Sequence, residues 1–415
     1  MTVAGHPLRI ALVILIPRTI QLKEGRLSFF RYRDYFPTRL IAEDSMVIGF
    51  ANALAEQGAK VDVHLSESFE IAPSEILKDG VRVVYLRDHL KGIFNPGWMP
   101  LNLSLFGKIK RGSYDIVVVG DYVQPVTIIA SLACLRKRIP LVVWQELDTE
   151  MRFPANIVSR LMFWSNARLS LPRIARFVPR SQKARLFLTS HGIEEWLVTG
   201  SIPHGVDTSF FQKKATKSWR NRLCISESDL VVLTVSRIEP CKGLDDLVDA
   251  ARMLINSYPK LRFVIKGSGT YDIELRRRIS ESSLDDFFTI VSERLNRDEL
   301  AELYAESDIF VAPSRTDLLI FSPIEAMSSG LPTVVSSATS HTFEDSLNSC
   351  GLIFKAGDVQ ELAKTIETVI GSKQKMVEMG VSARKWASER YDWRRIAERY
   401  LDVIDRILDE CGRRE

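Results

Sequence analysis

The chain is poor in the residues that metal sites and disulfides need. Its five cysteines, Cys134, Cys224, Cys241, Cys350 and Cys411, stand far apart, and no two have metal-ligand spacing. An odd number of scattered thiols fits free cysteines in a reducing compartment and excludes a disulfide framework. The six histidines form no HxxxH pair, which leaves no helical zinc motif. Long apolar runs are missing as well. The run from Ile10 to Ile16 is about half the length of a small membrane span, and no small-residue cleavage site follows it. It reads as a buried first strand. No other stretch reaches the ~18 apolar residues a spanning helix needs. Internal repeats and low-complexity segments are absent. A cytoplasmic protein is the expectation.

Acidic residues are scarce in one place. Residues 151–193 contain none, against Arg152, Arg160, Arg168, Arg173, Arg176, Arg180, Lys183 and Arg185, with Phe153, Phe163, Trp164 and Phe177 interleaved. Residues 1–200 hold 26 Lys and Arg against 18 Asp and Glu, and residues 201–415 hold 30 against 34. The first half should therefore meet an anionic partner or surface more readily than the second.

What remains is an ordinary globular composition, 46% apolar and 26% charged, on a 415-residue chain long enough for two domains. Apolar runs at 8–16, 60–65, 81–86, 115–119 and 141–144 predict strands, and Met46, Val47, Phe50, Ala51 and Leu54 have helical spacing ahead of a capping Gly58. The second half alternates more cleanly. Strands are predicted at 230–235, 261–266, 309–312 and 332–336, with helices at 244–255, 297–306 and 322–329. Three further helical stretches close the chain. This β-α-β rhythm implies parallel sheets with helices on both faces. Residues 17–40 and 89–112 break it and read as long loops.

Four short segments follow in fixed order. They are Ile202-Pro203-His204-Gly205-Val206-Asp207, Val235-Ser236-Arg237-Ile238-Glu239-Pro240-Cys241-Lys242-Gly243, Lys266-Gly267-Ser268-Gly269, and Pro313-Ser314 leading to Glu325-Ala326-Met327. Together they put two cations, a glycine turn and a carboxylate at the C-terminal ends of successive strands, where open α/β sheets bind nucleotides. This series resembles the donor domain of retaining glycosyltransferases of the family 4 type, from about residue 202 to the C-terminus and more faintly before it.

The resemblance implies an α/β protein of the GT-B fold: two Rossmann-like parallel-sheet domains facing a cleft, with the last helix crossing back to the first domain. The expected domains are 1–202 for the acceptor, 203–391 for the donor and 392–415 for the returning helix. It further implies a hexosyltransferase that takes a nucleotide-diphospho-sugar as co-substrate, retains anomeric configuration and needs no metal or other cofactor. In that pattern Arg237 and Lys242 bind the diphosphate, where charge grows as the sugar–oxygen bond breaks. Gly267 and Gly269 let backbone amides approach the ligand. Glu325 holds the ribose.

Several residues depart from the pattern. Asp317 stands where a glutamate usually holds the sugar. Leu318-Leu319-Ile320-Phe321 replaces a glycine-rich turn whose amides face the donor, with Ile320 at a glycine position. Only Gly25 lies in the loop after the first strand. Glu146 falls where a histidine often lies near the reacting sugar, and could orient a hydroxyl or accept the acceptor's proton. Asp148-Thr149-Glu150 is a chance likeness to the Asp-x-Asp metal motif of another transferase fold.

The basic stretch has three open readings: a solvated face, a contact for anionic lipid or a lipid-diphosphate acceptor through residues such as Arg168, Arg173, Arg176 and Arg180, or a nucleic-acid contact. Basic residues beside Trp and Phe suit a membrane headgroup region. No recognition motif accompanies the charge, so no nucleic-acid partner is expected. The expectation is a cytoplasmic glycosyltransferase, peripheral at the inner membrane face, acting on a lipid-linked or glycan acceptor. The altered 317–321 segment keeps a non-catalytic binding or partner subunit as an alternative, and a nucleotide-sugar epimerase or hydrolase on the same fold is another.

Overall fold

The computed structural model describes residues 2–3, 6–13, 40–41, 46–67, 69–70, 78–90, 101–148, 155–212, 215–316, 321–340 and 350–412. It divides into two compact units: Met1–Gly205 with Trp393–Glu415, and Val206–Asp392.

The first unit is built on six parallel strands: β1 (Arg9–Val13), β2 (Lys60–Ser66), β3 (Val81–Leu86), β4 (Ile116–Gly120), β5 (Leu141–Gln145) and β6 (Ile174–Pro179). Their order across the sheet is β6-β5-β4-β1-β2-β3. The interior strands β4 (IVVVG) and β5 (LVVWQ) are buried along their whole length, as helices on both faces require. Asp115, just before β4, accepts the Arg9 N–H at 2.7 Å and fixes the start of the β1–β4 pair.

The last helix, Trp393–Glu410, belongs to this unit. Its apolar stripe of Ile396, Ala397, Tyr400, Leu401, Ile404, Ile407 and Leu408 shares one core with Phe50 and Trp144. The rings of Phe50 and Tyr400 meet edge-on at 4.8 Å, and those of Phe50 and Trp144 at 4.9 Å. The Trp393 ring lies against two glycines: a Cβ on Gly49 would come within 2.5 Å of its Nε1, and one on Gly205 within 2.5 Å of its ring carbons.

The second unit repeats the plan with β7 (Leu230–Val235), β8 (Leu261–Lys266), β9 (Phe288–Val291), β10 (Ile309–Ala312), β11 (Thr333–Ser336) and β12 (Gly351–Phe354), all pairs parallel. The order is β9-β8-β7-β10-β11-β12. Helix ends follow local chemistry. Asn296 and Glu299 close a capping box on Arg297–Ala305, and Gly330, at φ 87°, ends Ser322–Ser329. In both units the sheet runs outward in opposite directions from its first and fourth strands. That reversal opens a crevice at the C-terminal strand ends.

Three strands of the two six-stranded sheets escape the sequence reading. β6 lies inside the basic–aromatic stretch, where half-buried Arg176 interrupts the apolar run although Phe177 beside it is buried. That stretch is therefore helix Ala155–Leu169, then β6, then helix Gln182–Ser190, not one continuous surface. β9 and β12 are only four residues each. The loop expected at 89–112 contains a helix, Ser104–Arg111, whose Leu105 and Ile109 are buried at i,i+4 spacing. Most of the loop expected at 17–40, Gly25 included, lies outside the described residues. Among the described residues no helix is long and apolar enough to cross a membrane.

The Trp393 contact gives a direct test. Alanine favours a helix interior over glycine by roughly 1 kcal/mol, yet the clash at Gly49 should outweigh that gain. Gly49→Ala is expected to destabilise the protein by about 1–3 kcal/mol in denaturant unfolding. A more stable variant would refute the packing described for Trp393.

Candidate functional site

In the second unit the crevice lies between the ends of β7 and β10. Arg237, two residues past β7, is exposed. Lys242 closes a single 3-10 turn, Pro240–Lys242, and Gly243 then opens helix Leu244–Leu254 in the left-handed region at φ 65°. A Cβ on Gly243 would lie 2.0 Å from the Pro313 carbonyl, so glycine is required twice over. The Cys241 carbonyl accepts the Arg315 N–H at 2.9 Å and the Ser314 hydroxyl at 3.3 Å. Ser336, ending β11, donates to the Ser314 carbonyl at 2.5 Å. The turn carrying Lys242 is thus tied across the crevice to the loops after β10 and β11.

Lys242 is only 7% exposed. The acids nearest in sequence are already engaged. The Arg315 guanidinium donates twice to Asp246, at 2.9 and 2.5 Å, and lies 3.8 Å from Asp245. Glu239 accepts the Thr270 hydroxyl at 2.9 Å. Among the described residues no carboxylate lies at ion-pair distance from Lys242 or Arg237. Burial holds the Lys242 ammonium below its ordinary pKa, and the Arg237 charge pushes the same way against Cys241 and Glu239. A buried cation without a counter-ion is costly. Among the described residues that cost at Lys242 is not offset by a carboxylate. Lys266, at the end of β8, adds a second ammonium lowered by burial, with Glu293 acting against the shift.

Gly267 and Gly269 are needed for a reason the sequence did not disclose. A Cβ on either would come within about 2 Å of a backbone oxygen, Ser236 O at 1.8 Å and Ile238 O at 2.0 Å. The space above both glycines is filled by the chain's own β7 loop. The Ile238 N–H donates to Ser268 O at 3.0 Å and the Tyr271 N–H to Ile238 O at 3.1 Å. They serve to zip two loops together.

Glu325 lies half-buried in the first turn of Ser322–Ser329. Tyr304, fully buried, donates its hydroxyl to Glu325 Oε2 at 2.8 Å and fixes the carboxylate. Burial first, then that carboxylate, raises the tyrosine's pKa well above normal. Phe321, half-buried at the helix N-cap, packs on the core and accepts the Glu325 N–H. Asp317 and Ile320 lie outside the described residues.

In the first unit the ends of β4, β5 and β6 gather a buried polar cluster. Asp121 accepts the N–H groups of Glu146 and Leu147 at 2.8 and 2.9 Å. Arg180 donates through Nε to the Glu146 carbonyl at 2.8 Å and through a terminal nitrogen to Asp148 at 3.0 Å. His204 Nε2 lies 3.5 Å from Glu146 Oε1. Asp121 and His204 were not singled out as site residues, since their partners lie far off in sequence.

The four arginines expected to share one outward surface do not. Arg180 is drawn inward by Asp148 and Glu146, its side chain 13% exposed. Arg176 pairs with Glu410 at 2.7 Å, and Arg173 donates to the Leu169 carbonyl. Arg168 is exposed, 6.0 Å from the Trp164 ring. Beside it Leu161, Trp164 and Leu169 are exposed on helix Ala155–Leu169, and Leu132 and Leu135 are exposed on helix Pro125–Lys137. Among the described residues no group of three or more His, Cys, Asp or Glu could hold a metal ion.

Residues 215–386 match the family model for glycosyl transferases group 1. The sulfoquinovosyl transferase SQD2 of Arabidopsis thaliana is 26% identical over 83% of this chain and 66% of its own length. A GDP-mannose-dependent monoacylated alpha-(1-6)-phosphatidylinositol monomannoside mannosyltransferase of Corynebacterium glutamicum is 27% identical over 49% of this chain and 55% of its own. The chain thus spans between about half and two thirds of the length of these relatives. In fold, Anabaena Alr3699/HepE, solved in complex with UDP, aligns with a TM-score of 0.71 at 18% identity, covering 96% of this chain and 100% of that one.

An unpaired buried ammonium should weaken the folded protein. Lys242→Met, which keeps the stem and removes the charge, is expected to stabilise the ligand-free protein by about 0.5–2 kcal/mol. Thermal unfolding checks this, and a lower midpoint would show that Lys242 has a partner in the resting protein.

Proposed function

On the premise that the second unit is a group 1 glycosyl transferase domain, we propose that the chain transfers a hexosyl group from a nucleotide-diphospho-sugar to a lipid-linked or glycan acceptor, with retention of configuration and without a metal. The observation that carries this reading is the buried Lys242 beside Arg237 at the β7–β10 crevice, with no carboxylate at ion-pair distance among the described residues. A diphosphate supplies the missing charge. As the sugar–oxygen bond breaks, negative charge grows on the leaving phosphate, and a desolvated ammonium is worth more there than in water. Glu325, held by Tyr304, accepts from the ribose hydroxyls. Asp317, Ile320 and Phe321 are assigned to donor binding on the resemblance to the family pattern alone. Glu146 orients a hydroxyl near the reacting carbon. The leaving phosphate itself takes the acceptor's proton on the same face.

A lipid-linked acceptor is favoured by the excess of basic residues in the first half and by the Corynebacterium glutamicum relative, whose name specifies a phosphatidylinositol monomannoside. The chain then works in the cytoplasm, peripheral at the inner membrane face. Exposed Leu161, Trp164 and Arg168, with Leu132, Leu135 and Arg136, form the surface that enters the headgroup region.

Titration calorimetry with UDP, GDP, ADP and their sugar conjugates tests the donor site. One nucleotide should bind to the wild type, binding should be lost in Lys242→Ala, and transfer should fall by about 100-fold or more. Unchanged turnover in Lys242→Ala contradicts the phosphate assignment. Absence of binding by any nucleotide to folded wild type turns the reading to a non-catalytic subunit. Donor consumption without an acceptor turns it to an epimerase or hydrolase. For the membrane surface, co-sedimentation with anionic vesicles should weaken at high salt and in Trp164→Ser. Equal sedimentation by both proteins at both salts would exclude this surface.

A further inference from the structure

The Glu146 carboxyl is buried at the end of β5, and among the described residues no Lys or Arg pairs with it. Arg180 is the positive group nearby, but it donates to the Glu146 backbone carbonyl and to Asp148. Asp121 adds a second buried carboxylate, held by the backbone N–H groups of Glu146 and Leu147. From the C-terminal helix Tyr400 adds a fully buried phenol, whose pKa is raised by burial and then by the charge of Glu146. What faces the carboxyl itself is the imidazole of His204, Nε2 to Oε1 3.5 Å. That ring is 2% exposed and lies against Trp144, with ring centroids 5.0 Å apart. Among the described residues Arg180 is thus the cation that acts on both buried acids, Asp121 and Glu146, and Asp148 engages it as well. A charged Glu146 would have only part of one guanidinium to offset it there.

We propose that Glu146 and His204 form a proton-holding pair in which Glu146 is the neutral acid and His204 the neutral imidazole, so that the end of β5 presents a hydrogen-bond donor instead of a negative charge. This rests on the glycosyl-transfer reading only for what the donor acts on, a sugar oxygen. His204 is then a positioning residue that acts through Glu146, and Glu146 is not a base at neutral pH. Burial raises both acids, but the backbone N–H groups of Leu147 and Glu146 pull Asp121 back, whereas burial first, then Asp121, pushes the Glu146 carboxyl up to about 8 against the pull of Arg180; burial and Arg180 hold His204 well below its ordinary value.

The sign of the pH dependence follows. Between the ordinary carboxylate range and about 8 the folded chain keeps a proton that the unfolded chain releases, so stability falls as pH rises through that window. Glu146→Gln, which keeps the neutral shape, lacks this term. The unfolding constant of the wild type should rise relative to Glu146→Gln by up to about tenfold per pH unit across the window. The His204 contribution is common to both proteins.

Infrared difference spectroscopy of full-length wild type minus Glu146→Gln reads the proton directly. A protonated-carboxyl carbonyl band is expected at neutral pH, lost as pH passes about 8, and moved to higher frequency in His204→Ala as its hydrogen bond is removed. No band, or a band that His204→Ala leaves unmoved, overturns the pairing. Should Glu146→Gln fail to fold, titration of the wild-type band alone decides. A band in a protein that binds no nucleotide sinks the transfer reading and leaves this one standing. Nucleotide binding without the band does the reverse.

Discussion

Parallel strands cannot be joined by tight turns; each needs a crossover, and the crossovers cover both faces of the sheet with helices. The backbone groups at the C-terminal strand ends are then the exposed polar rim of an otherwise apolar layer. In both units the strand order reverses between the first and fourth strands, which parts the crossovers there and leaves the rim open. Most residues given a chemical role stand on these rims. Arg237 and Lys242 follow β7, Gly267 and Gly269 follow β8, Glu325 follows β10, and Asp121, Glu146 and Arg180 follow β4, β5 and β6.

The two rims are finished differently. In the second unit the described acids near the crevice are matched to Arg315 and Thr270, and none of them lies at ion-pair distance from the buried ammonium of Lys242. In the first unit the imbalance among the described residues has the opposite sign: buried Asp121 and Glu146 both draw on Arg180, which Asp148 engages as well. An excess positive charge is resolved by taking up an anion, an excess negative charge by taking up a proton. Both are consequences of the same rule, that a charge withdrawn from water must find its complement.

Much of the framework was legible in the sequence because its signals are local. β7, β8 and β10 are apolar runs, and Gly58 and Gly330 end their helices where expected. β6 was hidden because Arg176 sits in its middle, its charge met by Glu410 at the far end of the chain. The same long-range pairing undid the picture of a single basic face, since a sequence does not reveal which arginines are already matched. Arg237, Lys242 and Glu325 stood out through order and spacing. The glycines 267 and 269 stood out too, but their physical reason, close approach of the Ser236–Ile238 backbone, arises only in the fold. His204 was in plain view within its motif. Its meaning depends on Glu146, which only the fold brings to it.

The central claim is that Lys242 is a desolvated ammonium awaiting a phosphate. The measurement that addresses it most directly is the titration of its Nζ by NMR, in the free protein and with the nucleotide that binds. A depressed pKa in the free protein that returns to or above the ordinary lysine range on binding is the predicted result. An ordinary value in the free protein, unchanged by nucleotide, would contradict the account.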